Sequence, residues 1–127
     1  MKPVILCVDD EKIVLTNLKQ QLKAVLGNEY QLETAESAEE AFEVLAEVES
    51  PVILVITDWL MPGMKGDEFL VKFKQKHPNT VTIMLSGQAD DTAVQRAYEE
   101  AKLFAFLKKP WNKEELIQVI QKAIQNL

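Results

Sequence analysis

The sequence predicts an open α/β fold, a parallel five-stranded sheet with helices on both faces. Three observations predict it. Short apolar runs alternate with amphipathic helical patterns from one end of the chain to the other, the signature of repeated β–α units. The run Val52-Ile53-Leu54-Val55-Ile56-Thr57 is apolar without alternation, as expected of a strand covered on both faces. Two runs, Val4-Ile5-Leu6-Cys7-Val8 and Val52 to Thr57, end in acid, at Asp9-Asp10 and at Asp58. In a parallel sheet those ends share one edge, where open α/β sheets bind ligands.

The elements follow in order. A strand over Val4 to Val8 leads into a helix with Val14, Leu18, Leu22, Val25 and Leu26 on one face, stopped by Gly27-Asn28. Tyr30, Leu32 and Thr34 alternate with polar Gln31 and Glu33, which predicts a strand exposed on one face and hence a sheet edge. Ser37-Ala38-Glu39-Glu40 is a capping box that opens a helix with Ala38, Ala41, Phe42 and Leu45 inward. Pro51 precedes the central strand. The turn-rich Met61-Pro62-Gly63-Met64-Lys65-Gly66 then leads to a short helix showing Phe69, Leu70 and Phe73, ended by Pro78-Asn79. A fourth strand is expected over Val81 to Leu85, a fourth helix over Ala89 to Ala101, and a fifth strand over Leu103 to Leu107. Asn112 caps a last helix, with Glu115 three residues on and Leu116, Val119, Ile120, Ala123, Ile124 and Leu127 at helical spacing. The fourth helix has the weakest apolar stripe (Ala93, Val94, Ala97, Tyr98, Ala101) and is expected to pack least tightly, which suits a moving part.

Size and composition narrow the function classes. The 127 residues, 47% hydrophobic and 27% charged, predict one globular domain over residues 1–127 with a buried core, and no output domain is visible among them. A net charge of −6 lacks the basic footprint of a nucleic-acid binder. No apolar run approaches the ~20 residues of a membrane span. Met1-Lys2-Pro3 lacks the apolar stretch of a signal peptide, so a cytoplasmic protein is expected. Cys7, the one cysteine, lies in an apolar strand and reads as a small buried hydrophobe. His77 reads as a solvated surface histidine, Met61 and Met64 as loop packing, and Trp111 as packing at the base of the last helix.

The chemistry gathers at the strand ends. Asp9, Asp10 and Asp58 bring three carboxylates to one edge. At ~4 Å and an effective dielectric of ~20, each like-charge pair repels by roughly 4 kcal/mol. A divalent cation or a raised carboxylate pKa relieves that. The fourth strand adds Ser86 and Gly87, and the fifth adds Lys108, followed by Lys109-Pro110. An all-oxygen set completed by waters suits Mg²⁺. Zinc does not fit, because Cys7 and His77 are the only soft ligands and no spacing joins them. A metal beside one carboxylate, with an ammonium and a hydroxyl nearby, meets the needs of phosphoryl transfer to a carboxylate nucleophile.

These residues carry a resemblance. Val8-Asp9-Asp10-Glu11, Asp58-Trp59-Leu60-Met61-Pro62-Gly63-Met64-Lys65-Gly66, Ser86-Gly87 and Phe106-Leu107-Lys108-Lys109-Pro110 occur in order, each at its own strand end. Together they resemble the response-regulator receiver domain of two-component signalling, from Val4 to about Ala123. The resemblance implies a flavodoxin-like (βα)5 fold with strand order 2-1-3-4-5. It implies that Asp58 is the phosphoacceptor. It also implies that Asp10, Asp58 and the Leu60 backbone carbonyl hold Mg²⁺ (or Mn²⁺), with Asp9 acting mainly through a coordinated water. Lys108 is expected to pair with the phosphoryl oxygens. Ser86 is expected to reach toward the attached group, drawing the Ser86-to-Ala89 loop inward, and Phe106 to act as the aromatic switch. Leu60 and Gln88 occupy positions that, by the resemblance, are expected to tune phosphoryl lifetime, and the Lys109-Pro110 bond is expected to be cis. Ser86 stands where threonine is commoner, and Phe106 where tyrosine also occurs.

The implied function is a signalling module phosphorylated by a histidine kinase or histidine phosphotransfer protein. Beyond its own phosphorylation and dephosphorylation it is not an enzyme. Its output is expected through an attached domain, a separate protein, or a homodimer formed by the last two α–β units. Three other readings compete. A phosphate-independent docking module gains nothing from clustered carboxylates. A phosphohydrolase with an aspartyl nucleophile needs an acid where Leu60 stands. A flavin-binding fold of similar layout needs a phosphate cradle where Asp-Asp-Glu stands.

Overall fold

The computed structural model describes residues 2–88 and 91–127. Its elements alternate without exception: β1 (Val4–Val8), α1 (Lys12–Leu26), β2 (Gln31–Ala35), α2 (Ala38–Glu47), β3 (Val52–Asp58), α3 (Gly66–Lys76), β4 (Val81–Ser86), α4 (Asp91–Glu100), β5 (Ala105–Lys108) and α5 (Lys113–Gln125). The five strands pair in parallel in the order β2-β1-β3-β4-β5, which is the expected order and places β2 on an edge. The fourth helix was expected from Ala89; residues 89 and 90, and with them the end of the Ser86-to-Ala89 loop, lie outside the described residues.

The period-two alternation of the strands splits the core into two layers. Ile5, Cys7, Leu54, Ile56, Ile83, Leu85 and Leu107 face α1 and α5, where they meet Leu15, Leu18, Leu22, Leu116 and Ile120. Leu6, Val8, Val55 and Met84 face the other way, against Ala41, Phe69, Phe73 and Ala97 of α2, α3 and α4. This parity decides which residue beyond each strand projects over which side of the sheet's carboxyl edge.

Local signals set the helix starts. The Ser37 side chain accepts from the Glu40 N–H at 3.0 Å, and Glu40 reaches back to the Glu36 N–H. Asn112 caps α5 by accepting from the Glu115 N–H at 3.1 Å. Trp111 packs at the base of α5 as expected, and its indole N–H donates to Gln21 of α1 at 2.9 Å. Met61 and Met64 pack the β3–α3 loop onto the α2–α4 layer.

Two expectations are corrected. The fifth strand starts at Ala105 rather than Leu103. Lys102 has φ 50°, and the Leu103 N–H turns back to the Ala97 carbonyl at 3.1 Å, so Leu103 closes the end of α4 instead. His77 is half-buried rather than solvated. It lies one turn beyond Phe73 and stacks on that ring at 4.6 Å, and burial and Lys76 lower its pKa. Cys7 is buried, and that burial pushes its thiol up to about 12, which makes it unreactive. Among the described residues no helix is long and apolar enough to cross a membrane.

Candidate functional site

The carboxyl ends of the strands deliver the site. Asp58 is the last residue of β3, Asp9 follows β1 and Lys109 follows β5. One carboxylate oxygen from each of Asp9, Asp10 and Asp58 can lie within 4.8 Å of the others. Asp9 is fully buried, Asp58 is 5% exposed, and Asp10 is exposed. A cleft of about 510 Å³ opens above them, lined by Asp10, Asp58, Leu60, Met61, Ser86, Gln88 and Lys109 among others.

Lys109 is the cation of this site, not Lys108. Its Nζ lies 2.7 Å from Asp9 Oδ2, 3.2 Å from Asp58 Oδ1 and 3.8 Å from Glu11 Oε1. Lys108 is exposed at the end of β5. The cause is parity. Cys7 and Asp9, Ile56 and Asp58, and Leu107 and Lys109 are each two residues apart, and all three apolar members face α1 and α5. Lys108 shares the parity of Phe106, which packs toward the opposite layer. A shift of one residue exchanges the faces. The Lys109-Pro110 bond is cis, as expected, and the Lys109 N–H donates to the Ser86 carbonyl at 3.1 Å.

The remaining contacts fix each carboxylate. Asp9 Oδ1 accepts from the Glu11 N–H at 2.9 Å, and Asp58 Oδ1 accepts from the Trp59 N–H at 2.9 Å. Burial drives the Asp58 pKa up to about 6; the Asp9 charge adds to this, and Lys109 and the Trp59 N–H oppose it. Asp9 is also raised, first by burial and further by Asp10, against Lys109 and the Glu11 N–H. For Lys109, burial opposes the charge, yet its hydrogen bonds and charge interactions with Asp9 and Asp58 outweigh that and hold its pKa above the ordinary value. The site carries more acid than its lysine neutralises. Its donors are all carboxylate oxygens beside an open cleft, a set that fits Mg²⁺ or Mn²⁺.

Ser86 is buried, and its Oγ accepts from the Gln88 N–H at 2.9 Å. Leu60 and Gln88 are exposed on the cleft. Phe106 is half-buried beside Met84 on the neighbouring strand, one strand-repeat short of Ser86. At this edge Gly66 does more than close the turn the sequence predicts, and Asp67 is unmarked in the sequence. A Cβ on Gly66 would lie 2.1 Å from the Asp58 carbonyl oxygen, so only glycine lets the loop close over the strand end. Asp67 accepts from the Trp59 indole N–H at 3.1 Å. No short motif marks Asp67, because its partner is eight residues away and the loop brings them together.

Comparison with known proteins agrees with this geometry. A model of the response regulator receiver domain matches residues 5–121. The hydrogenase transcriptional regulatory protein HoxA of Cupriavidus necator is 32% identical over 121 residues, 95% of this chain and 24% of that protein. The sensor kinase CckA of Brucella abortus is 30% identical over 121 residues, 95% of this chain and 12% of that protein. The chain thus spans a minor part of these curated relatives. The crystal structure of the signal receiver domain of an HD domain-containing protein from Pseudomonas fluorescens superposes with a TM-score of 0.90 at 32% identity, covering 99% of this chain and 97% of that one. The chain belongs to the response regulator receiver domain family.

Proposed function

We propose that this domain accepts a phosphoryl group on Asp58 from a histidine kinase or histidine phosphotransfer protein and passes the change to a partner. The observation that carries this is a nearly buried carboxylate with Lys109 3.2 Å away, two further carboxylates beside it and a cleft open above it. An Asp58 oxygen attacks phosphorus, the P–N bond to the donor imidazole breaks, and its electron pair leaves with the ring. Lys109 stands ready to balance the charge on the transferred oxygens. Ser86 Oγ accepts from Gln88, which leaves its O–H to donate to the attached group. Asp10 and Asp58, with the Leu60 carbonyl and with Asp9 through a water, would hold Mg²⁺, which when bound supplies positive charge against the phosphoryl oxygens. Leu60, two residues after Asp58, has no proton to give, so the protein is a switch rather than a turnover phosphatase.

The phosphoryl group adds about −1.5 to −2 charge near neutral pH. That charge biases the Ser86 loop, Phe106 and the surface of the last two α–β units. The relatives place similar domains in a transcriptional regulator, a sensor kinase and an HD domain-containing protein. An attached or separate output partner in the cytoplasm, or a second copy of the domain, fits that pattern. The test is intact-protein mass after incubation with Mg²⁺ and a small phosphodonor. One phosphoryl adduct is expected, absent in Asp58→Ala and when metal is chelated. A folded wild-type protein that gains no adduct would instead be a phosphate-independent docking module.

A further inference from the structure

We propose that Trp59, Asp67 and Arg96 form a latch through which the occupancy of Asp58 controls how firmly α4 is docked. The proposal rests on the phosphoacceptor reading above and adds three coupling side chains to it. Trp59 is bonded directly to the acceptor: its backbone N–H is shared between Asp58 Oδ1 at 2.9 Å and the Leu85 carbonyl at 3.0 Å. Its indole N–H donates to Asp67 Oδ1 at 3.1 Å. Asp67 is buried in the first turn of α3, and its other oxygen lies 3.7 Å from the Arg96 guanidinium on α4. Lys65 Nζ, 5.0 Å from the Trp59 ring centroid, braces the indole. Three side chains therefore run from the acceptor's neighbour to the middle of α4.

The receiving element is suited to respond. α4 packs chiefly against α3, and its buried residues are the small side chains Ala93 and Ala97. Val94 is the one larger side chain of α4 packed against that layer, so the contact holds little apolar area, and even the modest strength of a partly exposed ion pair adds to what holds the helix. Arg96 also has a second partner within its own helix, Glu100, with Nε 2.9 Å from Oε2. The guanidinium can leave Asp67 without losing every carboxylate, so the latch has two low-cost positions. Conversion of Asp58 to an acyl phosphate, and the charge this adds, compete for the Trp59 N–H. When that bond loosens, the indole shifts and draws its hydrogen-bonded partner Asp67 away from Arg96, Arg96 settles on Glu100, and α4 is freed. Such coupling acts in both directions.

Hydrogen exchange of the α4 amides tests this, with exchange of β1 and β3 as the check on folding. Asp67→Asn keeps an acceptor for the indole but removes the charge facing Arg96; Arg96→Ala removes the other partner. Each is expected to raise α4 exchange about two- to fivefold, the scale of a partly exposed ion pair. The double variant should exceed neither, because both break one interaction. Glu100→Gln, which leaves Arg96 only Asp67, should not raise it. Phosphorylation of the wild type should lift α4 exchange to the level of the variants and change the variants little. Additive effects, no effect, or equal rises on phosphorylation in all proteins would overturn the latch. Mass measured on the same samples separates the failures. An adduct on Asp58 with unchanged α4 exchange sinks the latch alone, and the lack of any adduct sinks the phosphoacceptor reading and the latch with it.

Discussion

A lysine held 2.7 Å from one buried carboxylate and 3.2 Å from another cannot be replaced by a lysine one position away along the strand. Asp9 is wholly buried and needs a compensating charge. Lys109 supplies it and uses Asp58 as a second partner. Removing one member of a buried pair costs about 3–5 kcal/mol, mostly because the other is left uncompensated. Lys109→Ala is therefore expected to lower the unfolding free energy in a chelator by about 3 kcal/mol. Lys108→Ala, at an exposed site, should change it by less than ~0.5 kcal/mol. Denaturant titration of the two variants side by side checks this. Equal losses would mean that Lys108 shares the site.

Trp59 joins the end of β3 to α3 and reports on the segment between them. Its N–H rests on Asp58 and its indole on Asp67, so whatever binds Asp58 alters the surroundings of the ring. In a Trp111→Phe background, which leaves Trp59 as the one indole, millimolar Mg²⁺ is expected to change the emission intensity. A spectrum indifferent to the metal would count against Asp58 as a ligand. How far such placements are legible in the sequence follows from the range of the forces. The central strand shows itself through Val52 to Thr57, β2 through the alternation of Leu32 and Thr34 with polar neighbours, and the caps through Ser37 and Asn112, because each is a local pattern. Asp9, Asp10 and Asp58 are legible because strand ends of a parallel sheet share an edge. The two-residue step from Leu107 would have pointed to Lys109, since Cys7 and Ile56 stand in the same relation to Asp9 and Asp58. The Asp67–Arg96 contact follows from how α3 and α4 pack, which no window of sequence contains. The end of α4 at Leu103 likewise depends on Lys102 taking φ 50°, a choice settled by the chain's path into β5.

The acidic edge also sets how the entire domain responds to pH and metal. The Asp58 pKa is about 6 in the folded protein, against about 3.9 for an unstructured aspartate. A raised carboxylate pKa means that the folded chain binds more protons than the unfolded one between those values. Stability then falls as pH rises from about 4 to about 6 and levels off above. Two units correspond to about 3 kcal/mol, or a melting temperature roughly 10 °C lower for a domain of this size. Asp9, also raised, adds to the fall in the same direction. Lys109, whose pKa is raised, contributes stability that persists through neutral pH and is lost only as pH climbs through its folded value in the alkaline range. Thermal melts in a chelator should therefore show lower stability at pH 7 than at pH 5, and Asp58→Asn should flatten that slope by removing the group that titrates. Saturating Mg²⁺ is expected to stabilise the charged form of the site, by about 2.7 kcal/mol at a hundred times its dissociation constant, at pH 7 in the wild type but not in Asp58→Asn. A wild-type domain as stable at pH 7 as at pH 5 without metal would mean that Asp58 is already ionised at no cost, and that the edge is not poised for a cation.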